Sequence, residues 1–424
     1  MARLKNLVRD YIDHVKLFSR NTRLYLIGSF LMGINFTVFN LLLNLYLKEF
    51  GFAEGDIGLV LSSRAIGMAV MAIPAAILLS RVRLKPVLLV TSFLFAVFSM
   101  FITTFHELTL LMAFSLLSGT AFCFYRVGAA PFYMRNSTPK ERTHVFSLSF
   151  GMVLLSGMAG SIGSGKLVTI IADYTGDIVL GYQYTIYLGI VIGLISLVPF
   201  FMIKSAKPSR EENKILFSWQ QLKSRGAFYF KVSFSNFLVG LGAGLIIPFL
   251  NLYFHDRFDL SPDLIGLYYF VVQFSMLAGS LSGPVLAKRW GLVRTVVVTQ
   301  LASIPFMLTL SYTYLLPLAF VAFVLRGGLM NLGVPIVTNL GMELAEKREQ
   351  GLVNALLMVA WTSAWMVSAA LGGSLIEKYG YTFTMNITVF LYVVSSFTFY
   401  IFFRKAEVKG HGETGWTIVR ENGS

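Results

Sequence analysis

The chain has 424 residues, of which 56% are hydrophobic and only 13% charged, and its mean hydropathy is +0.70. Soluble chains carry about a quarter charged residues, so an ordinary water-soluble globular protein is excluded. The net charge of +14 raises nucleic acid as a partner, and the single cysteine, Cys123, excludes an intramolecular disulfide and a cysteine-rich metal site.

Residues 1–22 read as an amphipathic N-terminal segment. Over 3–19, Leu4, Val8, Tyr11, Ile12, Val15 and Phe18 recur at helical spacing among Arg3, Lys5, Arg9 and Lys16, as in a helix lying at a membrane interface. The first long apolar run begins near Leu24 and is too long for the core of a signal peptide, so none is expected. A membrane-crossing helix needs about 20 mostly apolar residues. Runs of that kind predict spans at 24–48, 57–79, 86–105, 109–133, 144–170 and 184–203. Six more follow at 227–254, 264–287, 293–312, 315–341, 352–376 and 381–403. The resulting domains are 23–203 and 227–404, joined by a polar linker at 204–226 that holds a second candidate interfacial helix, and 405–424 is a polar tail.

With the N-terminus placed in the cytoplasm, 28 of the 35 Lys and Arg residues fall in inner segments. Three fall outside (Lys48, Arg257, Lys378), and four lie within spans (Arg64, Arg126, Lys166, Arg326). This asymmetry predicts both termini in the cytoplasm, and it accounts for the basic balance without nucleic acid.

The chain also matches itself. At a shift of 208 residues Ile57-Gly58-Leu59 meets Ile265-Gly266-Leu267. Arg81 meets Arg289, Gly119 meets Gly327, Met134 meets Met342, Val145 meets Val353 and Gly165 meets Gly373. One residue out of step, Asn44-Leu45-Tyr46 meets Asn251-Leu252-Tyr253. Two halves of six spans that begin on the same side predict parallel repeats about an axis along the membrane normal.

A glycine and basic motif joins spans eight and nine: Gly283-Pro-Val-Leu-Ala-Lys288-Arg289-Trp-Gly291-Leu-Val-Arg294. A remnant joins spans two and three, Ser80-Arg81-Val-Arg83-Leu-Lys85. With the repeat, these residues resemble the major facilitator superfamily, in its prokaryotic twelve-span form, across essentially all spans. The segments Gly372-Gly373-Ser-Leu-Ile-Glu-Lys-Tyr379-Gly380-Tyr381 and Pro139-Lys140-Glu141-Arg142 also resemble family patterns. The resemblance implies an all-α membrane protein with twelve transmembrane helices in two six-helix parallel repeats. It assigns Arg81, Arg83, Gly283, Arg289, Gly291 and Arg294 to a gating motif. The family's carboxylate in that motif is replaced by Lys288 in one copy and Ser80 in the other, so its gate-locking charge network is not expected in the same form. In span four Ser115 stands where the family often has Arg. In span five Gly151 and Gly160 match the proton-antiporter pattern, but Ser164, Gly165, Val168 and Thr169 do not. Gly160-Ser-Ile-Gly-Ser-Gly165-Lys166 mimics a phosphate loop, but Leu167 replaces its hydroxyl residue and the segment is an apolar span. Its glycines read as close helix packing.

Charges within spans usually face the bundle interior or a water-filled cavity. All acidic residues fall in loops or at span ends, the nearest being Glu49, Glu107, Asp173, Glu343 and Glu377. The histidines (His14, His106, His144, His255, His411) also lie outside the spans. The deep charges are therefore positive. Arg326 lies about eleven residues into span ten, roughly 16 Å at 1.5 Å per residue, near the midplane. Arg126 and Arg64 sit about two turns from span ends. The resemblance places spans one, four, seven and ten around a central cavity, with spans two, five, eight and eleven beside them. Guanidinium groups suit carboxylate or phosphate. The competing reading is structural, with the arginines bonding helix carbonyls or span-end acids. Lys166 is read as structural, snorkelling or approaching Asp173.

The substrate-binding candidates are Arg326, Arg126, Arg64, Asn331, Tyr125, Gln273, Asn35, Trp361 and Trp365. Asn40 and Asn354 are further polar span residues. Aromatic walls with few polar anchors suit an amphipathic solute.

No Gly-x-Ser-x-Gly, His-Glu-x-x-His or paired intramembrane aspartate is present, so no enzyme, catalytic residue, metal site or cofactor is expected. The expectation is a monomeric multi-pass transporter of the plasma (inner) membrane. It would carry a small organic anion or amphiphile by secondary active or facilitated alternating access, with the lipid bilayer and the solute as its partners. The alternatives are a proton-coupled multidrug exporter and a non-transporting receptor or scaffold.

Overall fold

The computed structural model describes residues 18–204, 225–345, 350–404, 408–410 and 416–418. The amphipathic stripe at 3–17 and most of the 204–226 linker lie outside these residues. The described chain is helical: α1 (Arg20–Glu49), α2 (Glu54–Arg81), α3 (Leu84–Thr104), α4 (Leu108–Asn136), α5 (Pro139–Thr175), α6 (Ile178–Ile195), α7 (Leu197–Met202), α8 (Gly226–Ile246), a 3-10 turn (Ile247–Phe249), α9 (Leu250–Phe258), α10 (Pro262–Trp290), α11 (Leu292–Tyr312), α12 (Leu316–Leu344) and α13 (Gln350–Phe403). The exception is a short antiparallel ladder in the tail, β1 (Val408–Gly410) with β2 (Trp416–Ile418), in which Lys409 pairs with Thr417.

Local chemistry sets several helix ends. Thr138 and Glu141 form a capping box at the start of α5, with the Thr138 amide donating to Glu141 Oε1 at 2.8 Å. Asp177 Oδ1 accepts the amides of Val179 and Leu180 and starts α6 six residues before the expected span. Pro248 has no amide hydrogen to donate, and the 3-10 turn that holds it separates α8 from α9.

Among the described residues, eleven helical segments are long and apolar enough to cross a membrane. The last of them, Leu352–Phe403, has 52 residues, about 78 Å of helix at 1.5 Å per residue and far more than one hydrocarbon core. It is broken within α13 at Gly380, whose φ of 81° and ψ of 172° are non-helical. A positive φ costs glycine little and other residues much, so Gly380 is where two arms can meet without a loop. The spans at 352–376 and 381–403 predict a short connection at 377–380. The structure narrows it to one residue.

Contacts divide the chain into two units, 1–49 with 66–215 and 50–65 with 216–424. In the first unit α1 packs on α5 and α6, and α3 on α4. Tyr25 anchors one end of its core, stacked on Phe132 at 4.2 Å between ring centroids and edge-on to Tyr133 at 5.1 Å. Tyr46 Oη donates to the Thr103 carbonyl at 2.9 Å.

In the second unit α8 packs along α13, and α12 against α10 and α11. α10 and α12 meet closely at Gly283, where an added Cβ would come within 2.7 Å of the Leu332 carbonyl. Residues 54–62 of α2 lie on the first arm of α13. The Gly55 amide donates to Glu377 Oε2 at 3.0 Å, Ser62 Oγ donates to the Met366 carbonyl, and a Cβ on Gly58 would sit 3.1 Å from Gly373 Cα.

Candidate functional site

Arg326 is a deeply buried charge of the second unit. It lies in the middle of α12 and only 5% of its surface is exposed. Its Nη2 donates to the Tyr392 hydroxyl at 2.8 Å, and its guanidinium lies 5.8 Å from the centre of that ring. Its Nε is buried with no hydrogen-bond partner. Among the described residues no carboxylate forms an ion pair with it. Tyr269, on α10, is within electrostatic reach of the guanidinium. Burying a charge without a counter-charge costs several kcal/mol.

The other candidates of the second unit differ in burial. Gln273 is half-buried on α10, one turn beyond Tyr269. Asn331 is half-buried and donates to the Gly327 carbonyl of its own helix at 3.0 Å. Trp361 and Trp365 are half-buried on the first arm of α13, with ring centroids 6.0 Å apart. The Trp365 indole nitrogen is buried and has no partner. Arg64 is 5% exposed, in the part of α2 that belongs to the second unit. Asn354 is exposed.

In the first unit Arg126 is exposed on α4. The neighbouring Tyr125 is half-buried, 5.6 Å from Phe122 and 6.3 Å from Phe200 between ring centroids. Asn35 is 1% exposed on α1, and both its amide atoms are buried without a partner. It packs on Gly193 of α6. Asn40 donates to the Phe36 carbonyl of its own helix at 2.7 Å.

The motif residues sit at helix ends. Arg81 and Arg83 are exposed where α2 meets α3, and Arg289 and Arg294 are exposed where α10 meets α11. Gly291 turns between α10 and α11 with φ of 86°, and Gly283 is buried about two turns before the end of α10.

Sequence reasoning missed Tyr392. Its contact with Arg326 spans 66 residues, and no local pattern announces a partner across two helices. A tyrosine in the middle of the last apolar run, where hydroxyls are costly, was the available signal. Asn236 was missed too: it donates from α8 to the Leu357 carbonyl at 2.8 Å.

No curated protein matches the sequence. Solved structures do. A mutant of the nucleoside transporter NupG is 16% identical, with a TM-score of 0.73, covering 90% of this chain and 99% of that one. A bacterial homolog of the human lysosomal transporter Spinster, in an inward-facing and unoccupied conformation, is 13% identical, with a TM-score of 0.75 and coverage of 91% and 97%. A D-xylose-proton symporter is 14% identical, with a TM-score of 0.71 and coverage of 92% and 98%. At these identities the likeness is one of fold. The sequence also matches the family described as the Major Facilitator Superfamily over residues 25–369 and 232–418. With its long apolar helices, the chain belongs to the Major Facilitator Superfamily and is a multi-pass membrane transporter of small molecules, not an enzyme.

Proposed function

We propose that the chain carries a small organic anion, or an amphiphile with an anionic group, by alternating access, with Arg326 as its principal anchor. The fold does not choose the solute, since proteins of like fold are named for a nucleoside and for xylose. The choice comes from Arg326. A guanidinium stays charged at every working pH, and this one is buried beside a phenol, with no carboxylate paired to it among the described residues. Arg126 and Arg64 are further cations proposed to meet the anion during the cycle. Gln273, Asn331, Trp361 and Trp365 in the second unit, and Tyr125 and Asn35 in the first, are proposed to supply polar and aromatic contacts.

The accompanying topology has twelve crossings in two six-helix repeats within the plasma (inner) membrane, both termini being cytoplasmic. It is supported by the break at Gly380, which divides the longest helix into two arms, and by the skew of Lys and Arg toward one side.

The test is flux of a panel of labelled organic anions into proteoliposomes. Arg326→Ala should abolish the flux that the unaltered protein supports, and Arg326→Lys should reduce it, because an ammonium lacks the planar fork. Unchanged flux in Arg326→Ala at equal reconstitution would end this reading.

A further inference from the structure

We infer that Tyr392 is a second ligand of the transported anion, donating its phenolic hydrogen beside the Arg326 guanidinium. This rests on the reading of Arg326 as an anion anchor and extends it to a residue on another helix.

The argument is one of hydrogen bookkeeping. Arginine can only donate, so in the 2.8 Å contact between Nη2 and the phenol the tyrosine oxygen accepts. Its own hydrogen is then left over, and among the described residues no acceptor takes it. Tyr392 is 1% exposed, so bulk water does not serve that hydrogen freely. Arg326 Nε is buried and equally without an acceptor. Two donors on adjoining groups, one charged and one neutral, thus stand without acceptors in one place. A ligand that satisfies both must offer two acceptor atoms, and the guanidinium charge favours an anionic one. Carboxylates and phosphates supply both the acceptors and the charge, and cations do not.

The phenol is also held in place. Its ring lies against Gly242 of α8, where an added Cβ would be 2.9 Å from the ring carbons. One turn earlier, Thr388 Oγ1 donates to the Gly242 carbonyl at 3.1 Å, which ties the same stretch of α13 to α8. Tyr392 also lies twelve residues beyond the break at Gly380, on the second arm of α13. A side chain fixed on two elements gives up little rotamer freedom when it binds.

The competing role is purely structural, in which Tyr392 does no more than support the Arg326 side chain. The two roles separate in a binding experiment on the purified full chain, with benzoate and phenyl phosphate as probes and benzyltrimethylammonium as the opposite-charge control. Stability without ligand and probe dissociation constants are measured together by thermal shift and calorimetry.

Both anions should stabilise the protein and the cation should not. Arg326→Ala should abolish anion binding. Tyr392→Phe should weaken it about tenfold, the scale of one hydrogen bond to a charged partner. The ratio of the two anions' affinities shows whether carboxylate or phosphate is preferred. If Tyr392→Phe does not fold, Gly242→Ala, which must displace the ring, should weaken binding in the same direction. Tyr392→Phe with a lower melting temperature but an affinity within twofold of wild type overturns the inference and leaves Arg326 standing. Retained binding in Arg326→Ala, or no anion binding by wild type, overturns the anchor reading and the inference together.

Discussion

Tyr46 and Tyr253 make the same hydrogen bond in the two units. Tyr46 donates to the Thr103 carbonyl at 2.9 Å and Tyr253 to the Leu310 carbonyl at 2.6 Å, and in each case the acceptor lies 57 residues further along the chain. Thr103 and Leu310 fall in the last turns of α3 and α11, where helix carbonyls lack intrahelical partners. Each phenol therefore caps the end of the helix it faces. The Thr103 carbonyl has a second donor, Gln183 Nε2, at 2.9 Å. Tyr253→Phe should thus cost about 1–2 kcal/mol, the scale of a buried acceptor left unsatisfied, and Tyr46→Phe less, because the exposed His106 that also bonds its phenol can turn to water. Melting temperatures of the two variants check this, and equal or reversed losses would contradict it.

The same bond fixes a proton. A carbonyl only accepts, so the Tyr46 hydrogen is used on Thr103, and His106 Nε2, 3.0 Å from the phenol oxygen, must donate. His106 is largely exposed, and its partial desolvation lowers its pKa. The folded protein then holds fewer protons than the unfolded chain as pH drops through the ordinary histidine value of about 6.5. Stability should fall slightly on acidification through that value, and His106→Gln should flatten that part of the profile. A wild-type profile that is flat there, or one unchanged by His106→Gln, would count against it.

Within the second unit, Glu377 caps the amide of Gly55 in the first turn of α2. Glu377→Ala should cost about 1 kcal/mol, as for loss of a helix N-cap, and Glu377→Gln less, because an amide oxygen still accepts. Gly373→Ala should be worse than either. An added Cβ there meets backbone, including the Glu54 carbonyl and Gly58 Cα, and backbone cannot swing aside as a side chain can. Thermal unfolding ranks the three, and a Gly373→Ala variant as stable as wild type would refute the packing argument.

Much of this was legible in the sequence. The Asn-Leu-Tyr triplets at 44–46 and 251–253 sit one residue out of step with the 208-residue repeat, and the structure gives their tyrosines equivalent bonds. Most helix bounds lie within a few residues of the apolar runs, because apolar length is a one-dimensional signal. Gly283 and Gly291 were legible from spacing, and the structure shows why each is glycine. The surroundings of the arginines were not. Arg126 is exposed while Arg326 and Arg64 are buried, and which face a span turns to its neighbours is not written in its hydropathy. Tyr392 escaped notice for the same reason: its meaning depends on a guanidinium two helices away.

The account rests on an unbalanced buried positive charge. An empty carrier must close around Arg326 uncompensated, which is costly in a low dielectric, whereas a bound anion offsets that charge. Exchange should therefore outrun net movement. The direct measurement is uptake of a labelled anionic substrate into proteoliposomes, with and without unlabelled substrate preloaded inside, and with and without a pH gradient. The expected result is uptake stimulated severalfold by preloading and little altered by the pH gradient. Uptake that depends strictly on the pH gradient and is not stimulated by preloading would contradict the account and put a proton-coupled transporter in its place.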